Sequence, residues 1–153
     1  MGNTRNIPYS TIVNEIETAC LAHLAVNSFA HGTLDYLDAS SVDKTYPYMF
    51  LRPMSSALLR TNRVLSFEFY SLDKPGVGTL DNKVIMSNTE KYLYDIISWF
   101  NFGDNGRQQI YEFKFTNITP VNEAFQDRLY GWVANLEVTT PWMLDYCIFP
   151  QIT

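Results

Sequence analysis

The sequence has only two cysteines, Cys20 and Cys147, among 153 residues. Two distant thiols cannot frame a disulfide scaffold or fill a zinc site, and both are expected to be free and buried. Histidine is equally scarce, with His23 and His31 alone. There is no basic excess: 11 Lys and Arg stand against 16 Asp and Glu, for a net charge of −5. That balance argues against a surface that grips nucleic acid. No apolar run approaches the roughly 18 residues of a membrane-crossing helix. No basic segment followed by a short apolar stretch opens the chain. The expectation is a soluble intracellular protein without a membrane partner. The phosphate-cradling loops G-x-G-x-x-G and G-x-x-x-x-G-K-[ST], the nucleophile elbow G-x-S-x-G, and H-E-x-x-H and C-x-x-C are all missing.

What the sequence does have is apolar and aromatic mass. Hydrophobic residues make up 46%, including ten Tyr, ten Phe and three Trp. A chain of this length buries roughly 68–70% of its extended surface, so one domain can form a core without staples. So many rings can exceed what one small core needs; some are expected at interfaces, with a Tyr-rich surface that meets no partner as the alternative. The domain is expected to span residues 1–153, with an extended N-terminal arm over 1–9 and a C-terminal tail over 141–153.

Residues 64–100 organise the reading. Leu65, Phe67 and Phe69 alternate with Ser66 and Glu68, the period of a half-buried strand. After the Gly-containing loop 74–78, residues 82–100 carry Ile85, Thr89, Tyr92, Leu93, Ile96, Ile97 and Phe100 at helical spacing. Ser87 and Glu90 could form a capping box, which would start that helix near Ser87 instead. The helix stripe has the strand's apolar face as its natural partner.

Upstream, the pattern predicts a helix over 11–29, capped by Ser10 and stopped at His31-Gly32. Its stripe is Ile12, Val13, Ile16, Ala19, Cys20, His23, Leu24 and Asn27. Short strands are expected over 33–37 and 46–52, Pro47 suiting an edge or a strand start. Residues 38–45 read as a loop, and 53–62 as a link. Downstream, 103–106 is a turn. Residues 110–118 alternate as a strand, with Tyr111, Phe113 and Phe115 on one side, and Thr119-Pro120 ends or bends it. A polar connection over 122–127 follows. Residues 129–139 alternate again, with Trp132, Ala134, Leu136 and Val138 on one face. The expected fold is α+β, a two-layer sandwich in the order α-β-β-β-α-β-β. A mainly antiparallel sheet of four to five strands carries two helices on one face and leaves the other to water or a neighbour.

Candidate chemistry is thin. Cys20 and His23 lie three apart on the first helix, but two ligands do not make a metal site. Cys20 paired with His31 lacks any sign of an oxyanion hole. Asp35, Asp38 and Asp43 could be read as a Mg²⁺ or acid/base set, though solvated loop acids fit as well. No catalytic, cofactor or metal residue is assigned. The candidate residues are interfacial: Tyr46, Tyr48, Arg60, Arg63, Trp142, Tyr146 and Phe149. The arginines could meet a neighbour's carboxylates or simply be solvated, and the tail rings could be buried against another chain or against their own domain.

Several segments together carry a resemblance: Tyr46-Pro47-Tyr48-Met49-Phe50-Leu51, residues 64–70 leading into 81–89, and Tyr94-Asp95-Ile96-Ile97. Residues 120–140, with Phe125-Gln126-Asp127 before Gly131-Trp132, and the ending Tyr146-Cys147-Ile148-Phe149-Pro150 complete it. The chain resembles the tail-completion and neck proteins of tailed bacteriophages, which include tail terminators, in the form found in crAss-like and other Bacteroidota phages. The resemblance implies a non-enzymatic head–tail connector that forms a sixfold or twelvefold homo-oligomeric ring. It implies neighbouring portal, neck or tail proteins, and genomic DNA passing through the channel without specific binding. In such a ring, contacts between copies are expected from the hairpin region 46–63, the loop 73–81 and both termini. It places the protein in the virion, assembled in the host cytoplasm, and carries over no cofactor and no functional residue. A monomeric ligand-binding α+β module is the alternative, and a small metal-dependent hydrolase built on Asp35 and Asp38 is the more remote one.

Overall fold

The computed structural model describes residues 6–33, 45–74, 82–102, 112–124 and 129–143. Their elements run α1 (Tyr9–Ala22), β1 (Ser28–His31), β2 (Tyr48–Leu58), β3 (Asn62–Asp73), α2 (Asn82–Phe102), β4 (Glu112–Ala124) and β5 (Leu129–Pro141). This is the α-β-β-β-α-β-β order expected of an α+β sandwich. The five strands form one sheet in the order β1-β2-β3-β5-β4. All pairs are antiparallel except β1 with β2, which is parallel.

The alternation in β3 puts Leu65, Phe67 and Phe69 under the helices, each at most 3% exposed. Met49 and Leu51 of β2, Phe113 of β4, and Ala134, Leu136 and Val138 of β5 extend that floor. From above, α1 inserts Ile12, Ile16, Ala19 and Cys20, and α2 inserts Leu93, Ile96 and Phe100. Each fully buried Ile or Leu contributes on the order of 1.5–3 kcal/mol of transfer free energy. Two polar contacts stitch α2 to the sheet. Ser71 Oγ donates to the Thr89 carbonyl at 2.9 Å, and Trp132 Nε1 donates to the Met86 carbonyl at 2.8 Å.

Several expectations are corrected. The first helix ends at Ala22, not near Phe29: His23 turns extended and its N–H bonds Cys20. Leu24 is therefore fully exposed, although it falls on the helical stripe. The first strand is Ser28–His31, where a helix end was expected; Asn27 N–H donates to the Pro47 carbonyl and sets its register beside β2. Of the strand expected over 33–37, Thr33 is outside any strand and 34–37 lie outside the described residues. The α1 N-cap is Pro8, whose carbonyl accepts from Thr11, so Ser10 is not the cap. Residues 53–58 are strand rather than link, because β3 supplies a pairing partner as far as Leu58. Ser87, expected as an alternative helix start, lies inside α2, which begins at Asn82. Thr119-Pro120 bends β4 without ending it: Asn117 takes a positive φ of 51°, the register shifts there, and the strand runs on to Ala124.

The helix-free face was expected to meet only water or a neighbour. Part of it instead holds a second apolar cluster of Tyr48, Phe50, Tyr70, Leu72 and Leu129. At that end, strands β2 and β3 are apolar on both faces, as strands covered on both sides must be.

Candidate assembly interface

The two outer edges of the sheet differ. On β4, two register shifts, the positive-φ Asn117 and the exposed Pro120, Glu112 and Lys114 blunt the edge, all devices that discourage strand addition. The β2 edge is split. β1 covers it only from Tyr48 to Leu51. From Arg52 onward, β2 has no outer strand partner among the described residues, and residues 53–60 are exposed.

The backbone pattern of this hairpin is defined. Leu59 N–H donates to the Asn62 carbonyl across the loop Arg60-Thr61. With Leu58 opposite Arg63, Ala57 opposite Val64 and Ser56 opposite Leu65, alternate rungs point inward at 59, 57 and 55. The N–H and C=O groups of Ser56 and Leu58 therefore point outward. The surface beside them is apolar: Met54, Leu58 and Leu59 are 48%, 68% and 57% exposed. Between this hairpin and the start of α1 lies a groove of about 400 Å³ lined by Tyr9, Met54, Ser56, Arg63, Leu65 and Phe67.

The candidate residues fall in several places. Arg60 is exposed at the hairpin tip. Arg63 is half-buried: its Nη2 donates to the Ile7 carbonyl at 2.6 Å, and its guanidinium stacks 4.8 Å from the Trp142 ring. Burial holds its pKa below the usual value, and its Nε is buried without a partner. The Trp142 N–H donates to the Thr61 carbonyl, and Asn6 exchanges two side-chain hydrogen bonds with the Met143 backbone. Arg63 and Trp142 thus join both ends of the described chain to the base of the hairpin. Tyr48 is 3% exposed and packs in the second cluster, so its ring is interior rather than interfacial. Tyr46 is half-buried, edge-on to Tyr48, with the Lys74 ammonium 5.5 Å from its ring. Tyr146 and Phe149 lie outside the described residues, as do Cys147 and the acids Asp35, Asp38 and Asp43. Met54, Leu58 and Leu59 fall within residues 46–63, where contacts between copies are expected, but none of them is singled out by a segment that reads as a Pro-led link.

Polar groups elsewhere are engaged locally. Cys20 is a free, buried thiol whose pKa burial pushes up, so it is not a ready nucleophile. His23 Nδ1 accepts from Ala25 N–H, which leaves the proton on Nε2 to donate to Asp95 Oδ2 at 2.8 Å. Lys91 meets the same carboxylate oxygen at 2.9 Å. His31 Nε2 bonds Tyr9 Oη at 2.7 Å. Arg52 donates to Glu68, which also accepts from Tyr70; burial, then that bond, pushes the Tyr70 pKa up to about 12. Among the described residues, no group of three or more His, Cys, Asp or Glu could hold a metal ion, and no helix is long and apolar enough to cross a membrane. A scan against protein-family models and a search of curated proteins each find no match to this chain.

Proposed function

We propose that this chain is a structural subunit that works as assembled copies: a ring protein of the neck or tail of a tailed bacteriophage. In this reading a sixfold or twelvefold ring joins portal to tail and leaves a channel for DNA. The observation that carries it is the β2–β3 hairpin, whose outer edge has no strand partner among the described residues beyond Leu51 and which gives water three large apolar side chains. Such an edge is a liability for a solitary protein and a resource for an assembling one. The sequence resemblance supplies the phage context. The net charge of −5 suits a channel wall that repels phosphate and so lets DNA pass. The role is architectural and needs no cofactor or metal.

Electron microscopy of the purified protein, alone and with the neighbouring ring protein of the same phage, tests this. Closed rings of six or twelve copies are expected in at least one preparation. A solitary subunit in both, at high concentration, would overturn the reading.

A further inference from the structure

We propose that two copies of the free chain pair edge to edge along β2, antiparallel, about a two-fold axis midway between their Ala57 residues. The outward rungs are Ser56 and Leu58. An antiparallel self-pairing centred on Ala57 sets Ser56 opposite the partner's Leu58, and Leu58 opposite the partner's Ser56. Both rungs then become hydrogen-bonded pairs, each exchanging two backbone bonds. No other centre uses both rungs of both copies. The pairing is isologous, so it closes at two.

The side chains fit that register. Residues directly opposite one another share a face, so Ser56 and Leu58 lie on the face of their β3 partners Leu65 and Arg63. That is the face of the groove lined by Tyr9, Met54, Ser56 and Leu65. The partner's Leu58 stands over the small Ser56 and enters this groove; by symmetry the reverse insertion fills the second groove. Electrostatics do not oppose it. Residues 53–59 carry no charge, and the only charge at the tip, Arg60, falls opposite the partner's Met54. Two copies of an acidic chain therefore meet along a neutral strip. The β4 edge, with its shifts, Pro120 and flanking charges, competes poorly as an alternative partner.

The axis predicts one close approach. Ala57 meets the partner's Ala57 as a non-hydrogen-bonded pair, with Cα atoms about 4.5 Å apart, inside the disulfide range of roughly 4.4–6.8 Å. Ser55 sits four positions from the partner's Ser55, about 13 Å away along the strand. The test uses the full chain with Cys147→Ser; Cys20 is buried and stays. Under mild native oxidation, Ala57→Cys is expected to convert mostly to disulfide-linked dimer, with Ser55→Cys at least tenfold less. Wild-type chain should show a dimer mass by light scattering, and Leu58→Lys, checked for unchanged circular dichroism, should shift it to monomer. No Ala57→Cys dimer, or equal cross-linking at both positions, would overturn the pairing. The pairing uses the same edge as the ring reading but in a different geometry, an isologous contact of the free chain in place of the heterologous contact that closes a ring. Rings without the Ala57 cross-link would sink the pairing and leave the ring, whereas the cross-link without rings would do the reverse.

Discussion

Replacing Gly131 by alanine should be among the costliest single-methyl changes in this protein. Gly131 lies on β5 opposite Leu72 of β3, in the middle of the sheet. A Cβ built there would sit 1.9 Å from the Ser71 carbonyl oxygen, 2.9 Å from its carbon and 3.1 Å from Leu72 Cα. All three atoms are backbone, so no side chain can swing away. An ordinary contact begins near 3.4 Å, leaving the methyl about 1.5 Å short of room. Separating β3 from β5 by that much breaks about two rungs, at ~1 kcal/mol each, and adds ~1–3 kcal/mol of overpacking. It also disturbs Ser71, whose hydroxyl holds the Thr89 carbonyl of α2. The sum is ~3–5 kcal/mol. In urea, at a slope of ~2 kcal/mol per M, the midpoint should fall by about 1.5–2.5 M. Asn135→Ala, an exposed change on the same strand, should stay within ~0.5 kcal/mol. A Gly131→Ala midpoint within about 0.25 M of wild type would refute the steric argument.

Two smaller effects follow from the polar contacts. Trp132→Phe keeps an aromatic ring against the core but loses the hydrogen bond to the Met86 carbonyl and part of the indole's packing, so stability should fall by at least ~1 kcal/mol in the same urea titration, and an unchanged midpoint would deny that bond a role. Burial raises the Asp95 pKa, but the hydrogen bonds from His23 and Lys91 outweigh it and leave the carboxyl below its ordinary value. A depressed folded pKa gives stability that is present above the unfolded value, ~3.9, and is lost as pH falls through the folded one. The melting temperature of wild type should therefore exceed that of Asp95→Asn by a few degrees at most at pH 6, given 39% exposure of the carboxylate. The gap should close on acidification below about pH 4; a constant gap from pH 6 to pH 3 would contradict the assignment.

Periodicity made most of the fold legible, because burial on one face writes itself into spacing. The α2 stripe of Ile85, Thr89, Leu93, Ile96 and Phe100 is buried as read, and the alternations in β3 and β5 mark their core faces. Periodicity failed where the chain leaves one element while the spacing runs on by chance. His23, Leu24 and Asn27 continue the α1 stripe, yet the chain has already turned to lay Ser28–His31 beside β2. A four-residue parallel strand has too few alternations to announce itself. The free edge was hidden for a different reason. Pro53, Ser55 and Ser56 have little strand propensity, and only pairing with β3 makes that segment a strand. The second apolar cluster had a signal that went unused: Met49-Phe50-Leu51 and Phe69-Tyr70 are apolar at consecutive positions, the mark of strands covered on both faces.

Amide hydrogen exchange of the full chain across a concentration series tests most directly whether copies meet at the hairpin. The outward N–H groups of Ser56 and Leu58 have no partner among the described residues and should gain protection as concentration rises, ahead of the other exposed amides of those residues. Fast exchange at both positions while light scattering shows the chain associating would place the contact elsewhere and contradict the account.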